Sequence, residues 1–247
     1  MKLKETFSTI PKQYDKARLG YPDPLFRDII RYSKLTKNDP VLEIGIGTGK
    51  ATLPFVRYSN HLIANDISRE LVSIAKEKLK RYQRMKYIIG QFENIKLPKN
   101  HFKLIYSAQS FHWIKPGIQF TKTRALLKPG GVLALFWNFN YYNKGIGKWA
   151  MKLHKKYSSA KGGKAIEIIQ RLKRHHNFTD ATTKEYRRTI RMGRADYISM
   201  QTSFSWYLAL SKKRKKQALA ELHQKLNQYP KTIRIPIKTI LIMARKK

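Results

Sequence analysis

Between residues 41 and 137, short apolar runs and helix-length segments alternate, and this rhythm restricts the chain more than any other feature. Strand patterns stand at 41–45, 61–65, 86–90, 102–107 and 131–137, with helical patterns near 49–58, 68–83 and 118–127 between them. Apolar runs separated by helices belong to a parallel sheet covered on both faces. The economical result is an α/β fold with a doubly wound, Rossmann-like sheet. Within it, Ser68 is placed to cap a helix after Asp66, and Pro54 falls in the first turns of its helix, where a missing N–H costs least. "KPGG" at 128–131 reads as a turn feeding the fifth strand.

After Trp137 the rhythm breaks. Residues 139–183 predict a helical insertion, with helices near 147–158 and 164–175 and no convincing strand. An insertion after the fifth strand belongs over the carboxyl ends of the sheet, where open α/β folds bind ligands, so it reads as a lid. Tyr141, Tyr142 and Trp149 are its candidates for touching a bound molecule. Strand patterns return at 185–192 and 232–244, and the expected sheet is mostly parallel with one antiparallel strand near the edge. The whole chain, 1–247, reads as a single domain with 139–183 as its lid.

Composition removes several chemistries. With no cysteine among 247 residues there is no disulfide, no thiolate zinc site and no sulfur nucleophile. The seven histidines are scattered apart from His175 and His176 and lack carboxylates at ligand spacing, so no metal site is expected. No apolar run approaches the roughly 18 residues of a membrane span and none suits a signal peptide, which predicts a soluble, cytoplasmic protein without membrane contact. The 52 Lys and Arg against 15 Asp and Glu leave a net charge of +37. Such a field attracts polyanions. It admits RNA, DNA or an acidic small molecule as partner. The cations mostly form neither a stripe nor an arginine-rich block, however, and a lysine-rich surface without a partner is the favoured account. The dense run at 212–216 reads as a solvated helix start or connection, and the oligomeric state is open.

"VLEIGIGTGKATLPF", residues 41–55, joins the first strand to its helix through glycines at alternate positions. Glycine there frees the backbone dihedrals and admits a ligand to the bare main chain, and the N–H groups opening the following helix face that ligand. A dinucleotide fingerprint needs G-x-G-x-x-G, whereas here Gly45, Gly47 and Gly49 are followed by Lys50. Glu43 lies inside the strand, an expensive place for a carboxylate without a donor or cation. Asp66 closes the second strand, where a carboxylate can take both hydroxyls of a ribose; a helix cap before Ser68 is the lesser alternative. "FHW" at 111–113 follows the fourth strand, and its aromatic residues read either as core or as a site facing the reaction.

"LEIGIGTG" with "IANDIS", "YIIGQFENIKLPKNHFKLIYSAQSFHWI" and "LLKPGGVLALFW" together resemble the class I S-adenosylmethionine-dependent methyltransferases. "YDKARLGYPDPLF" and "YISMQTSFSWYLAL" are similar to the type 11 branch near the trans-aconitate methyltransferases. The resemblance covers nearly the whole chain. It implies S-adenosylmethionine as cofactor, with Glu43 orienting the glycine loop and the methionine ammonium, and with Gly45, Gly47 and Gly49 in that loop. Asp66 would hold the ribose and Ile67 pack on the adenine, whose edge Gln91 and Phe92 meet. Many relatives carry an acid at the position of Gln91. Ser107 would offer its carbonyl to the cofactor amino group, while Tyr14 and Arg18 would close over the methionine end. His112 is the candidate base for a hydroxyl acceptor, and Trp113, with Tyr14 and Trp137, would present an aromatic face to the sulfonium. The motif of exocyclic-amine nucleic-acid methyltransferases is missing after the fourth strand. A small-molecule acceptor, favourably an anionic one methylated on oxygen or carboxylate, is therefore expected ahead of an RNA-binding protein or RNA methyltransferase.

Overall fold

In the computed structural model the described residues are 9–140, 145–158 and 163–247. The chain forms two compact units. The larger comprises Gly20–Asn138, Gly163–Tyr186 and Thr239–Lys247; the smaller comprises Met1–Leu19, Phe139–Gly162 and Arg187–Lys238. The expected insertion at 139–183 is thus divided, its first part in one unit and its remainder in the other.

The larger unit is built on β1 (Pro40–Ile44), β2 (His61–Asp66), β3 (Lys86–Ile89), β4 (Phe102–Ala108) and β5 (Leu127–Asn140), with β6 (Phe178–Gly193) and β7 (Thr232–Lys246) completing a seven-stranded sheet of order β3-β2-β1-β4-β5-β7-β6. The long strands β6 and β7 contribute residues to both units. β1 pairs in parallel with β2 and β4, β2 with β3, and β4 with β5. The sheet as a whole is mostly parallel with one antiparallel pair, as the sequence predicts. Its helices are α2 (Asp23–Ser33), α3 (Thr52–Val56), α4 (Arg69–Lys78), α5 (Pro116–Leu126) and α7 (Lys164–Lys173). Ser68 caps α4 by accepting from the Leu71 N–H at 3.2 Å. Val41, Leu104, Val132 and Phe136 meet Phe26 and Phe55 in the buried core, where Tyr106 and Phe55 rings lie 4.1 Å apart. Burial of such side chains contributes about 1.5–3 kcal/mol each.

"KPGG" falls within the span of β5, but the β4–β5 register breaks there, from Phe102↔Leu127 to Leu104↔Val132, with Gly130 left-handed at φ 68°, in keeping with the turn signal. Gly131 then runs so close to β4 that a Cβ would stand 2.8 Å from the Phe102 carbonyl oxygen. β6 starts seven residues earlier than its apolar pattern, at Phe178, and its polar opening survives because an edge strand needs only one partner.

The smaller unit contains α1 (Pro11–Ala17), α6 (Gly145–Tyr157), α8 (Arg194–Thr202), α9 (Ser205–Leu208) and α10 (Lys212–Asn227). Ile146, Ala150, Leu153, Met200, Leu222 and Leu226 form its core with Ile233, Ile235 and Ile237 of β7. The run at 212–216 opens α10. No helix among the described residues is long and apolar enough to cross a membrane.

Candidate functional site

The site lies at the carboxyl ends of β1, β2 and β4. Beyond Ile44 the chain turns back at once, and the N–H groups of Gly45 (2.8 Å) and Ile46 (3.0 Å) both donate to the Asn65 carbonyl. The Asn65 amide donates in turn to Ile88 O (3.1 Å) and Gly90 O (2.9 Å). One asparagine therefore fixes the ends of three neighbouring strands.

The three glycines do different work. All are left-handed, with φ of 75°, 55° and 80° at Gly45, Gly47 and Gly49, a region that costs other residues roughly 1–2 kcal/mol. A Cβ on Gly45 would stand 2.2 Å from Ser110 Oγ, so this glycine admits the loop after β4. A Cβ on Gly49 would meet Leu79 at 3.2 Å, which seats the turn against α4. Around Gly47 no atom would lie within 4 Å of a Cβ. Its backbone is the one left open to a ligand.

Side chains hold this loop from both sides. Asp66 accepts from the Gly47 N–H at 2.7 Å through one oxygen and from the Ser68 N–H at 3.0 Å through the other. Burial pushes its carboxyl upward, while the N–H groups of Ser68, Gly47 and Ile67 hold it back. The Gly47 and Ser68 bonds fall on different oxygens, and a carboxylate has about four acceptor positions in all, so capacity is left for a ligand. Ser107 Oγ (2.8 Å) and Ser110 Oγ (2.7 Å) both reach the Ile44 carbonyl and stand 2.6 Å apart.

Glu43 sits beneath the loop, entirely buried with Thr52 and Tyr106. The Thr52 hydroxyl and the Tyr106 hydroxyl each donate to Oε2 at 2.8 Å. Oε1 has no hydrogen-bond partner among the described residues. Burial, only partly opposed by those two bonds, pushes the carboxyl up to about 7. Glu43 has no surface open to solvent, and its bond to Thr52, the first residue of α3, ties it to the end of the glycine loop that it is expected to orient. Ser107 is likewise fully buried, and its side chain serves the loop.

Ile67 and Gln91 are half-buried and Phe92 is buried, all near the ends of β2 and β3. Phe111–Trp113 forms a 3-10 turn after β4. There the Trp137 indole N–H donates to His112 Nδ1 at 3.3 Å. An indole can only donate, so the neutral His112 carries its proton on Nε2. In this arrangement Nδ1 is occupied by the indole N–H. The Trp113 ring centre lies 4.7 Å from that of His112. Tyr14 and Arg18 belong to the smaller unit, where the Arg18 guanidinium lies 4.7 Å from the Tyr14 ring and 4.8 Å from the Phe204 ring and donates to Ser203 O at 3.1 Å. Trp149 packs against the core of that unit, and Tyr141 and Tyr142 lie outside the described residues.

Four residues of the site escaped the sequence reading: Asn65, Thr52, Tyr106 and Ser110. None carried a signal in the sequence: Tyr106, for one, meets Glu43 only through the register of β1 and β4. A nucleotide-like ligand fits what is present, namely an uncovered backbone at Gly47, a half-buried carboxylate with spare acceptor capacity at Asp66, and apolar surface at Ile67. Among the described residues no group of His, Asp and Glu could hold a metal ion.

Residues 42–135 match the family described as a methyltransferase domain. A Dictyostelium discoideum protein carried under a methyltransferase name is 25% identical over 238 residues, covering 94% of this chain and 88% of that protein. A malonyl-[acyl-carrier protein] O-methyltransferase of Ilyobacter polytropus is 35% identical over 107 residues, 41% of this chain and 40% of its own length. In fold, a solved structure from Anaeromyxobacter dehalogenans named as a type II methyltransferase superposes with a TM-score of 0.66 at 17% identity, over 93% of this chain and 97% of that one. Three further structural neighbours are crystallised with S-adenosylmethionine or S-adenosylhomocysteine.

Proposed function

Given that this chain belongs to the class I S-adenosylmethionine-dependent methyltransferases, we propose that it methylates a small-molecule acceptor on oxygen, with a carboxylate as the favoured group. S-adenosylmethionine is the donor and supplies an electrophilic methyl on a sulfonium, open to in-line displacement. For its part, the chain holds and aligns. The bare backbone at Gly47 receives the donor, and Asp66 accepts from the ribose hydroxyls with the lone pairs its loop bonds leave over. Ile67 and Phe92 offer apolar surface to the adenine, with Gln91 at its polar edge, and the Ser107 carbonyl is assigned to the cofactor amino group. The assignment of Tyr14 and Arg18 to the methionine end rests on the resemblance alone.

The observation that carries the acceptor class is the Trp137 bond to His112. A phenol or alcohol must lose a proton during transfer, whereas a carboxylate arrives deprotonated and needs only positioning. His112 can take a proton at Nδ1 only by giving up the indole. It is thus assigned to shape the acceptor pocket beside Trp113. The +37 charge favours an anionic acceptor, and the I. polytropus relative is named for methylation on oxygen.

Two measurements test this. Release of S-adenosylhomocysteine is assayed against a panel of mono-, di- and tricarboxylic acids and of phenols. Carboxylates are expected to turn over with a rate that is flat above about pH 6, beyond ordinary carboxyl titration; turnover of phenols alone overturns the proposal. His112→Ala is expected to lower kcat by less than tenfold. A loss of about 10²–10⁴, the usual worth of a general base, would restore the base role.

A further inference from the structure

The positive charge is not evenly shared. The smaller unit holds 24 Lys and Arg against 4 Asp and Glu in 95 residues, and the larger holds 28 against 11 in 152. Within the smaller unit the cations gather on two packed helices. Lys148, Lys152, Lys155 and Lys156 are exposed along α6 at helical spacing, and Lys212, Lys213, Arg214 and Lys216 are exposed at the start of α10. The two groups join where Arg214 reaches the Lys156 carbonyl (3.4 Å) and lies 5.5 Å from the Tyr157 ring centre. Glu221, paired with Lys156 at 2.8 Å, is the one acidic residue on either helix.

Helix stability does not account for this pattern. Cations at a helix start oppose the helix dipole, and the first turn of α10 contains no acid. We propose that the outward face of α6 and α10 is a sequence-independent docking surface for the phosphate backbone of nucleic acid. The chemistry on the face selects this partner over a lipid surface. Interfacial helices insert large apolar side chains beside their cations, but the exposed large hydrophobic residues among those described are Tyr58, Ile89 and Ile166, none of them in the smaller unit. The same lack removes the aromatic platforms on which single-strand binders stack bases. What is left is charge, which reads phosphate and not sequence.

The test is fluorescence anisotropy of the full chain with labelled 30-nucleotide oligouridylate and oligoadenylate across a salt series. Both are expected to bind alike, with log affinity falling steeply against log salt. The combined variant Lys152→Gln, Lys155→Gln, Lys212→Gln and Lys213→Gln is expected to lower affinity at least tenfold at 0.1 M salt. It should also reduce the slope by about 3, at roughly 0.7 for each lost contact to a single strand. A control of equal charge change on exposed residues of the other unit, Lys78→Gln, Arg81→Gln, Arg84→Gln and Lys86→Gln, should stay within twofold of the parent. Both variants keep the thermal shift with S-adenosylhomocysteine, which establishes that they are folded. Equal losses in the two variants overturn the localisation. A strong preference for one base, or binding to phosphatidylserine vesicles without binding to either oligonucleotide, overturns the partner.

Discussion

Gly45→Ala is expected to lower the stability of the protein by about 2–5 kcal/mol, combining roughly 1–2 kcal/mol for a left-handed alanine with about 1–3 kcal/mol of overpacking against Ser110. Gly47→Ala, by contrast, is expected to melt within a few degrees of the parent, because only the backbone term of about 1–2 kcal/mol applies where the space is empty. Its defect is in binding: affinity for S-adenosylhomocysteine should fall at least ~10²-fold, the worth of roughly 3 kcal/mol, as a methyl group fills the bare surface. Thermal melts and calorimetry on both variants separate fold from ligand. Adding Ser110→Gly to Gly45→Ala removes both overlapping side-chain atoms, the Oγ at 2.2 Å and the Cβ at 2.4 Å, and should recover the overpacking part of the loss, about 1–3 kcal/mol, while the backbone part remains. Normal S-adenosylhomocysteine affinity in Gly47→Ala would sink the assignment of the open backbone as the cofactor cradle.

Glu43 gives the second large effect, and its sign is opposite to that of an ordinary structural carboxylate. The folded chain holds the Glu43 proton up to about pH 7, the unfolded chain only to about 4.5. Between those values unfolding releases a proton, so each step upward in pH favours the unfolded chain. The stabilisation from this group is complete below about 4.5 and gone above about 7, a span of about 3 kcal/mol at ~1.4 kcal/mol per pH unit. Glu43→Gln keeps an oxygen for Thr52 and Tyr106 and cannot titrate. Parent and variant melts are therefore compared from pH 4.5 to 8. The difference between them should shift by roughly 6–12 °C in favour of the variant at the alkaline end, at about 2–4 °C per kcal/mol for a chain of this size. A difference that is constant with pH refutes a buried, titrating Glu43.

Such effects could not be read from the sequence, and the reason is separation along the chain. The five strands of the parallel core were legible as short apolar runs, most of them set off by helices, and the glycine turn announced a ligand site by its spacing. The division of labour within that turn was not. Gly45 is required by Ser110, and the partners of Glu43 are Thr52 and Tyr106, contacts made only when β1 and β4 pair in register. Asn65 looked like one more polar residue beside Asp66, although its carbonyl and amide tie three strands together. His112 was recognised by type, but its role depends on an indole 25 residues away. At 128–131 the glycines that signal a turn mark the break in register between β4 and β5, and Gly131 also permits the close approach of the two strands. The charge of the smaller unit was diffuse in sequence because α6 and α10 lie far apart along the chain and share a face only once folded.

Ile44 offers a last consequence. Its carbonyl is met by two serine hydroxyls that also touch one another, and the next two N–H groups are already committed to Asn65. The rim of the cup is thus rigid before any guest enters. Little disorder remains to be lost on association, so recognition should proceed without a slow rearrangement of this loop, and tightness should be governed by how quickly the guest escapes.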